Sequence, residues 1–171
     1  MATYKIVGAG EGWPAVTQTG TYATSTNVYP PLKFGQKVVA YDGTFGRGEF
    51  VFVYGSNVTA GNLCQITGLS YGARVAGSGT ASFGPLGFAP AAMSATNVWG
   101  FLQIAGVFDS ASHSAAAAAG VAIKMGTIAG AIDSVTASND TFQIFGMYNA
   151  ASNTASNAAS VMLSYPFFRG F

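Results

Sequence analysis

GRGEFVFVYGSNVTAGNLCQITG, residues 46–68, is the stretch whose reading decides the fold. Phe50, Phe52 and Tyr54 alternate with Val51 and Val53, so aromatic rings line one face of an extended segment and β-branched side chains the other. Both types suit a pleated surface, and a run that is apolar on both faces reads as a strand buried on both sides. Gly55-Ser56-Asn57 supplies turn chemistry, because Gly and Asn tolerate positive φ and Ser bonds back to its own backbone. After Thr59-Ala60-Gly61 the chain alternates again over residues 62–67, with Leu63, Gln65 and Thr67 opposite Asn62, Cys64 and Ile66. The stretch is therefore two strands with a polar turn between them.

Working outward, KVVAY (residues 37–41) is a short strand, and Asp42-Gly43 after it predicts a tight type I′ hairpin turn. Downstream, residues 69–90 form a long loop rich in Gly, Ser and Ala, punctuated by Gly84-Pro85 and Ala89-Pro90, with room for a short strand near residues 73–75. VWGFLQIAGVF (residues 98–108) is the second strong strand, with Gly100 and Gly106 as candidate bulges. Residues 109–119 are the one helix candidate: Asp109 or Ser110 can cap it, the alanines 115–119 favour it and Gly120 stops it. Residues 121–125, 131–135, 141–147 and 159–165 complete the strands. Short strands at such spacing, separated by Gly-rich turns, predict an all-β fold: an antiparallel small barrel or sandwich with at most one short helix.

Upstream, residues 1–35 read as an extended amino-terminal arm and residues 36–171 as the β-domain. Pro14, Pro30 and Pro31 oppose a helix, while Trp13, Tyr22, Tyr29 and Phe34 are large apolar surfaces that need cover. Two arrangements supply it: an extension laid over a neighbouring subunit, or an edge strand folded onto its own domain. On the first, removal of residues 1–30 leaves the β-domain folded. Aromatic residues in segments without strand periodicity are the candidate interface: Trp13, Tyr29 and Phe34 in the arm, and Phe167, Phe168 and Phe171 in the tail.

Charge decides the broad class. Seven Lys or Arg and six Asp or Glu make 8% of 171 residues, against about 25% in an ordinary soluble domain. Thirteen charges spread over roughly 8,000 Å² of surface defend a monomer thinly against association, so neighbours are expected to cover much of the outside. A helical membrane span is not predicted, since the most apolar run, residues 115–123, is nine long and ends at Lys124, whereas a span needs about 20. The start, MATYKIVGAGEG, lacks the basic-then-apolar pattern of an export signal, and synthesis in the cytoplasm is expected. The scattered cations argue against nucleic acid.

No catalytic, metal or cofactor constellation is visible. His113 is the one histidine, so neither a histidine metal site nor a triad assembles within one chain; among Ser and Ala on the helix candidate, it is expected in solvent. Asp133 and Asp140 flank a loop and read as caps rather than a glycosidase pair. Cys64, a single thiol, reads as a small buried hydrophobe. The expectation is a non-enzymatic protein without cofactors.

The order of segments resembles the head decoration (cement) proteins of tailed bacteriophages and the small β-rich virion proteins that accompany them. The likeness lies in EFVFVYGSN (residues 49–57) followed by Val58-Thr59-Ala60-Gly61-Asn62-Leu63, then WGFLQIAG (residues 99–106), an Ala-rich stretch closing on Gly120-Val121, and a final strand VMLSYP (residues 161–166). It spans roughly residues 37–166 and leaves out the arm and the tail FFRGF. The resemblance implies a virion structural subunit, made in the host cytoplasm and placed on the capsid exterior. There it would act as a homotrimer that binds the major capsid protein lattice and stabilises the head, with neither nucleic acid nor membrane as partner. Two other readings stand beside it: a tail, fibre or minor head protein, and an eight-stranded outer-membrane barrel, which the length and the terminal Phe171 allow.

Overall fold

The structure is a computed structural model and describes residues 4–9, 12–22, 29–68, 71–76, 84–116, 118–135, 143–152 and 158–168. It is all-β, with no helix among the described residues. The strands are β1 (Lys5–Ile6), β2 (Gly20–Thr21), β3 (Lys37–Asp42), β4 (Gly46–Gly55), β5 (Leu63–Thr67) and β6 (Gly72–Val75). They continue as β7 (Gly84–Phe88), β8 (Val98–Ser112), β9 (Ala122–Met125), β10 (Ile132–Ser134), β11 (Gln143–Asn149) and β12 (Ala158–Phe168).

Six of them close a barrel. β4 pairs with β6, β6 with β5, β5 with β7, β7 with β12, β12 with β8, and β8 returns to β4. Only the β4–β6 pairing is parallel. The two strands of the opening stretch, β4 and β5, are thus both walls of the barrel but not neighbours, because β6 lies between them. The ring has six strands rather than the eight of the outer-membrane alternative.

The alternation of β4 places its two faces as the sequence predicts. Val51 and Val53 fill the barrel interior together with Cys64, Leu102 and Ile104. One end of that interior is closed by Val58 and Met93, which bridge each other and are buried. Phe50 and Phe52 point outward, into a second cluster with Trp99 and Phe101. Burying each such side chain is worth about 1.5–3 kcal/mol. A third cluster lies on the far side, where Phe88 stacks on Phe108 at 5.0 Å and Ile123, Ile132 and Ile144 of β9–β11 close over Val161 and Leu163.

What covers Phe50 and Phe52 is the amino-terminal segment of the same chain. Tyr4, Val16 and Leu32 are buried in that cluster, with Tyr22 and Phe34 packed against it. β1 pairs with β3, and β2 with β8. Of the two arrangements considered for this segment, its described residues adopt the fold-back onto their own barrel.

Three local readings are corrected. Residues 109–112 continue β8, and His113 bridges Ile132, where a helix was predicted. A three-turn helix is marginal alone, and the pairs Ser112↔Ala158 and Ala111↔Ala159 override the alanine preference by completing a sheet over a buried Ala111. His113 is consequently buried at 3% exposure rather than in solvent. The turn after β3 is not a two-residue type I′: residues 43–45 form the loop between the paired Asp42 and Gly46, and the Asp42 carboxylate accepts the N–H groups of Thr44 and Phe45 at 2.8 and 2.9 Å. Within the long 69–90 segment, the strand anticipated near residues 73–75 is β6, while β7 was not anticipated.

Candidate functional site

The barrel end opposite Met93 is open. The inner face of β4 grades along the strand from Arg47 and Glu49 to Val51 and Val53, so charge lies at the rim and apolar side chains lie within. Register carries Lys37 of β3 to the same place, directly opposite Val51. Here the interior opens into a cleft of about 340 Å³. Val51, Ile66, Leu86 and Ile104 form its floor, Pro85, Pro166 and Phe167 its walls, and Tyr71, Tyr165 and Lys37 its rim.

Two bulges shape it. On β8, Ala105 faces Glu49 while Gln103 faces Phe50, so Ile104 is the surplus residue between them, and it lines the cleft. On β12, Leu163 faces Met147 and Phe167 faces Phe145, so four steps on one strand span two on the other. The surplus sits at residues 164–166 and carries Tyr165 and Pro166 to the rim. Gly146 permits this crossing: its φ is +72°, and a Cβ there would lie 2.4 Å from the Ser164 carbonyl oxygen. Bulges recur beside sites because they re-aim side chains.

Backbone strain gathers at the same rim. Four described non-glycine residues have positive φ, Asn57, Tyr71, Asn97 and Tyr165, and the two tyrosines both border the cleft. For a bulky residue this conformation is an outlier, and a residue that precedes proline, as Tyr165 does, is restricted further. Such strain persists where surrounding structure holds it, and it concentrates at functional positions.

Electrostatics at the rim are specific. Glu49 pairs with Arg47 at 2.6 Å and also accepts the Tyr165 hydroxyl. That hydrogen bond holds the Tyr165 phenol above its ordinary pKa, aided by burial and the Glu49 charge. Lys37 lies over the Tyr165 ring, its Nζ 5.4 Å from the centroid, and has no ion pair among the described residues. Phe145 stacks on Phe167 at 5.6 Å beside the cleft, and both are exposed.

The sequence-predicted interface residues are dispersed. Trp13 and Tyr29 are exposed, at 39% and 67%. Phe34 is half-buried and stacked on Phe52 at 5.5 Å. Among the described side chains of that set, Phe167 lines the cleft. The Phe168 backbone pairs with Ile144 and Gly84; its side chain, and Phe171, lie outside the described residues. Tyr71, Tyr165, Phe145 and Lys37 were missed, and the one available signal was the charged-to-apolar gradient along the face of β4.

Chemistry elsewhere is sparse. Burial pushes the Cys64 thiol up to about 12, which makes it inert. Among the described residues, no three His, Cys, Asp or Glu side chains gather as a metal site. Compared with protein-family models, curated proteins and solved structures, the chain finds no match in any of the three.

Proposed function

We propose that this protein is a non-enzymatic structural subunit of a virion, a decoration protein whose open barrel mouth is pressed against the outer face of a major capsid protein lattice. The observation that carries the reading is the exposed aromatic collar of Tyr71, Phe145, Tyr165 and Phe167. It lies on a molecule that spreads thirteen charges over 8390 Å². Aromatic residues are enriched at the centres of protein interfaces and carry much of their binding energy. A standard contact covers about 800 Å² of each partner. The order of segments that resembles phage cement proteins supplies the kind of partner, and a trimer at lattice three-fold positions is the assembly it suggests. Repetition over a shell makes even weak single contacts hold.

The test is co-sedimentation of the purified protein with empty heads of a tailed phage whose genome encodes it. Saturable binding at hundreds of copies per head, weakened at least tenfold by a Tyr165→Ser, Phe167→Ser double variant, is the expected result. Absence of binding, or a handful of copies per particle, would overturn the decoration reading; recovery of those few copies on tails would favour a tail component.

A further inference from the structure

We propose that the open mouth of the barrel is a binding cleft for an alkyl carboxylate, a straight aliphatic chain ended by an anionic head. The inference stands on the geometry of a single folded chain and does not rest on the virion reading.

Shape comes first. The cleft of about 340 Å³ falls inside the range of about 300–1,000 Å³ usual for small-molecule sites. A second cavity, beside Tyr4 and Gln103, is smaller at about 220 Å³. The floor of the larger one is aliphatic, built from Val51, Ile66, Leu86 and Ile104. No buried polar group in it asks for a hydrogen bond, so a polar body would lose its water contacts there for nothing in return. Val51, Ile66 and Ile104 also belong to the cluster that fills the barrel. The cleft therefore opens outward from that apolar interior, and an aliphatic chain suits its lining.

The rim sets the head group. Lys37 stands beside the aliphatic floor, held over the Tyr165 ring and without an ion pair among the described residues. Glu49, whose carboxylate accepts the Tyr165 hydroxyl, is occupied by that bond and by the Arg47 guanidinium. Among the described residues, Lys37 at the rim and the Arg47–Glu49 pair joined to Tyr165 sum to +1, which favours an anion over a cation. The strained tyrosines 71 and 165 fix the walls between which the head must pass, and a preformed entrance lowers the ordering cost of binding.

The test uses the purified full chain with octanoate, decanoate, decanol and decylamine, each below its micellar concentration. Binding is read by calorimetry and by amide chemical shifts. Decanoate should bind saturably with shifts centred on Val51, Ile66 and Ile104. Each added methylene should tighten binding by about three- to fourfold, as burial of apolar surface requires. Decanoate should bind about tenfold more tightly than decylamine, and Lys37→Glu, a surface change, should reverse that order. Equal binding of all three decyl compounds would overturn the assignment of Lys37 as the head-group partner. Absence of saturable decanoate binding, or shifts centred elsewhere, would overturn the site. Capsid attachment enters neither readout, so failure here and failure of the decoration reading remain separate results.

Discussion

Truncating Phe34 and Phe52 singly and together measures whether the amino-terminal segment belongs to the core of its own chain. Phe34 stacks on Phe52 with centroids 5.5 Å apart and planes 12° from parallel, and it meets Tyr54 and Tyr22 edge-on at 5.3 Å each. A fully buried Phe→Ala change costs about 3–5 kcal/mol, and Phe52 is fully buried, so Phe52→Ala should lose that much. Phe34 is half-buried and should lose roughly half, about 1.5–2.5 kcal/mol. A stacked pair is worth about 0.5–1.5 kcal/mol beyond its area, and the double variant should fall short of the sum of the singles by that amount. Urea unfolding followed by Trp99 fluorescence reports the cluster directly, because that indole lies 5.6 Å from Phe52; a Trp13→Phe background removes the other tryptophan. With a slope of about 2–3 kcal/mol per molar urea, Phe34→Ala should lower the midpoint by about 0.5–1.3 M. Coupling within about 0.3 kcal/mol of zero would refute the packing of this segment on β4 in solution.

Deleting residues 1–35 should strip the cover from Phe50, Phe52, Trp99 and Phe101; the product should bind a hydrophobic dye and lose its sharp unfolding transition, and a cooperative, dye-free product would contradict this. Gly106 has φ +91°, and a Cβ there would lie 2.3 Å from the Arg47 carbonyl oxygen, so Gly106→Ala should cost about 1–3 kcal/mol and lower the melting temperature by about 2–12 °C. Both ring nitrogens of the buried His113 lack a hydrogen-bond partner among the described residues; His113→Leu should leave stability unchanged or raise it by about 1–2 kcal/mol, and a clear loss in a thermal melt would reveal a partner. Cys64 supplies a pH dependence: the unfolded thiol ionises from 9.0 and the folded one only near 12. Over that window the native state holds the extra proton, and stability should fall by up to about 1.4 kcal/mol per pH unit. Tyr4 and Tyr22, also raised by burial, add to the alkaline loss; Cys64→Ala should flatten the pH profile between 9 and 11, and an identical slope would refute the burial of the thiol.

Strands whose faces differ in chemistry were legible. In β4 the aromatic and β-branched faces are distinct within five residues, and both ended where such side chains can be covered. What escaped reading was set by partners far along the chain. Residues 109–112 carry a local preference for helix, but the pairing that holds them extended comes from Ala158 and Ala159. Gly84-Pro85 looks like punctuation because proline cannot donate to a ladder; it stands in a strand because β7 meets β12 over only two pairs, Pro85↔Phe167 and Gly84↔Phe168. The cleft was hidden for the same reason. Tyr165 reaches its rim through a surplus of residues in β12 relative to β11, and no window along one strand contains a mismatch between two.

β8 explains why these layers hold together as one unit. Its fifteen residues contribute Trp99 and Phe101 to the cluster under the amino-terminal segment, Leu102 and Ile104 to the barrel interior, and Phe108 and Ala111 to the cluster under β9–β11. A strand with only two faces serves three cores because it runs beyond the barrel and because the extra residue at Ile104 shifts its phase against β4. Loss of any one layer therefore wets aromatic or aliphatic surface on the strand that the other two need. The open cleft is the exception: its rim comes from β3, β12 and the residue before β6, and β8 reaches it only through Ile104. A binding surface placed there can change its rim side chains while the shared strand, and with it the fold, stays intact.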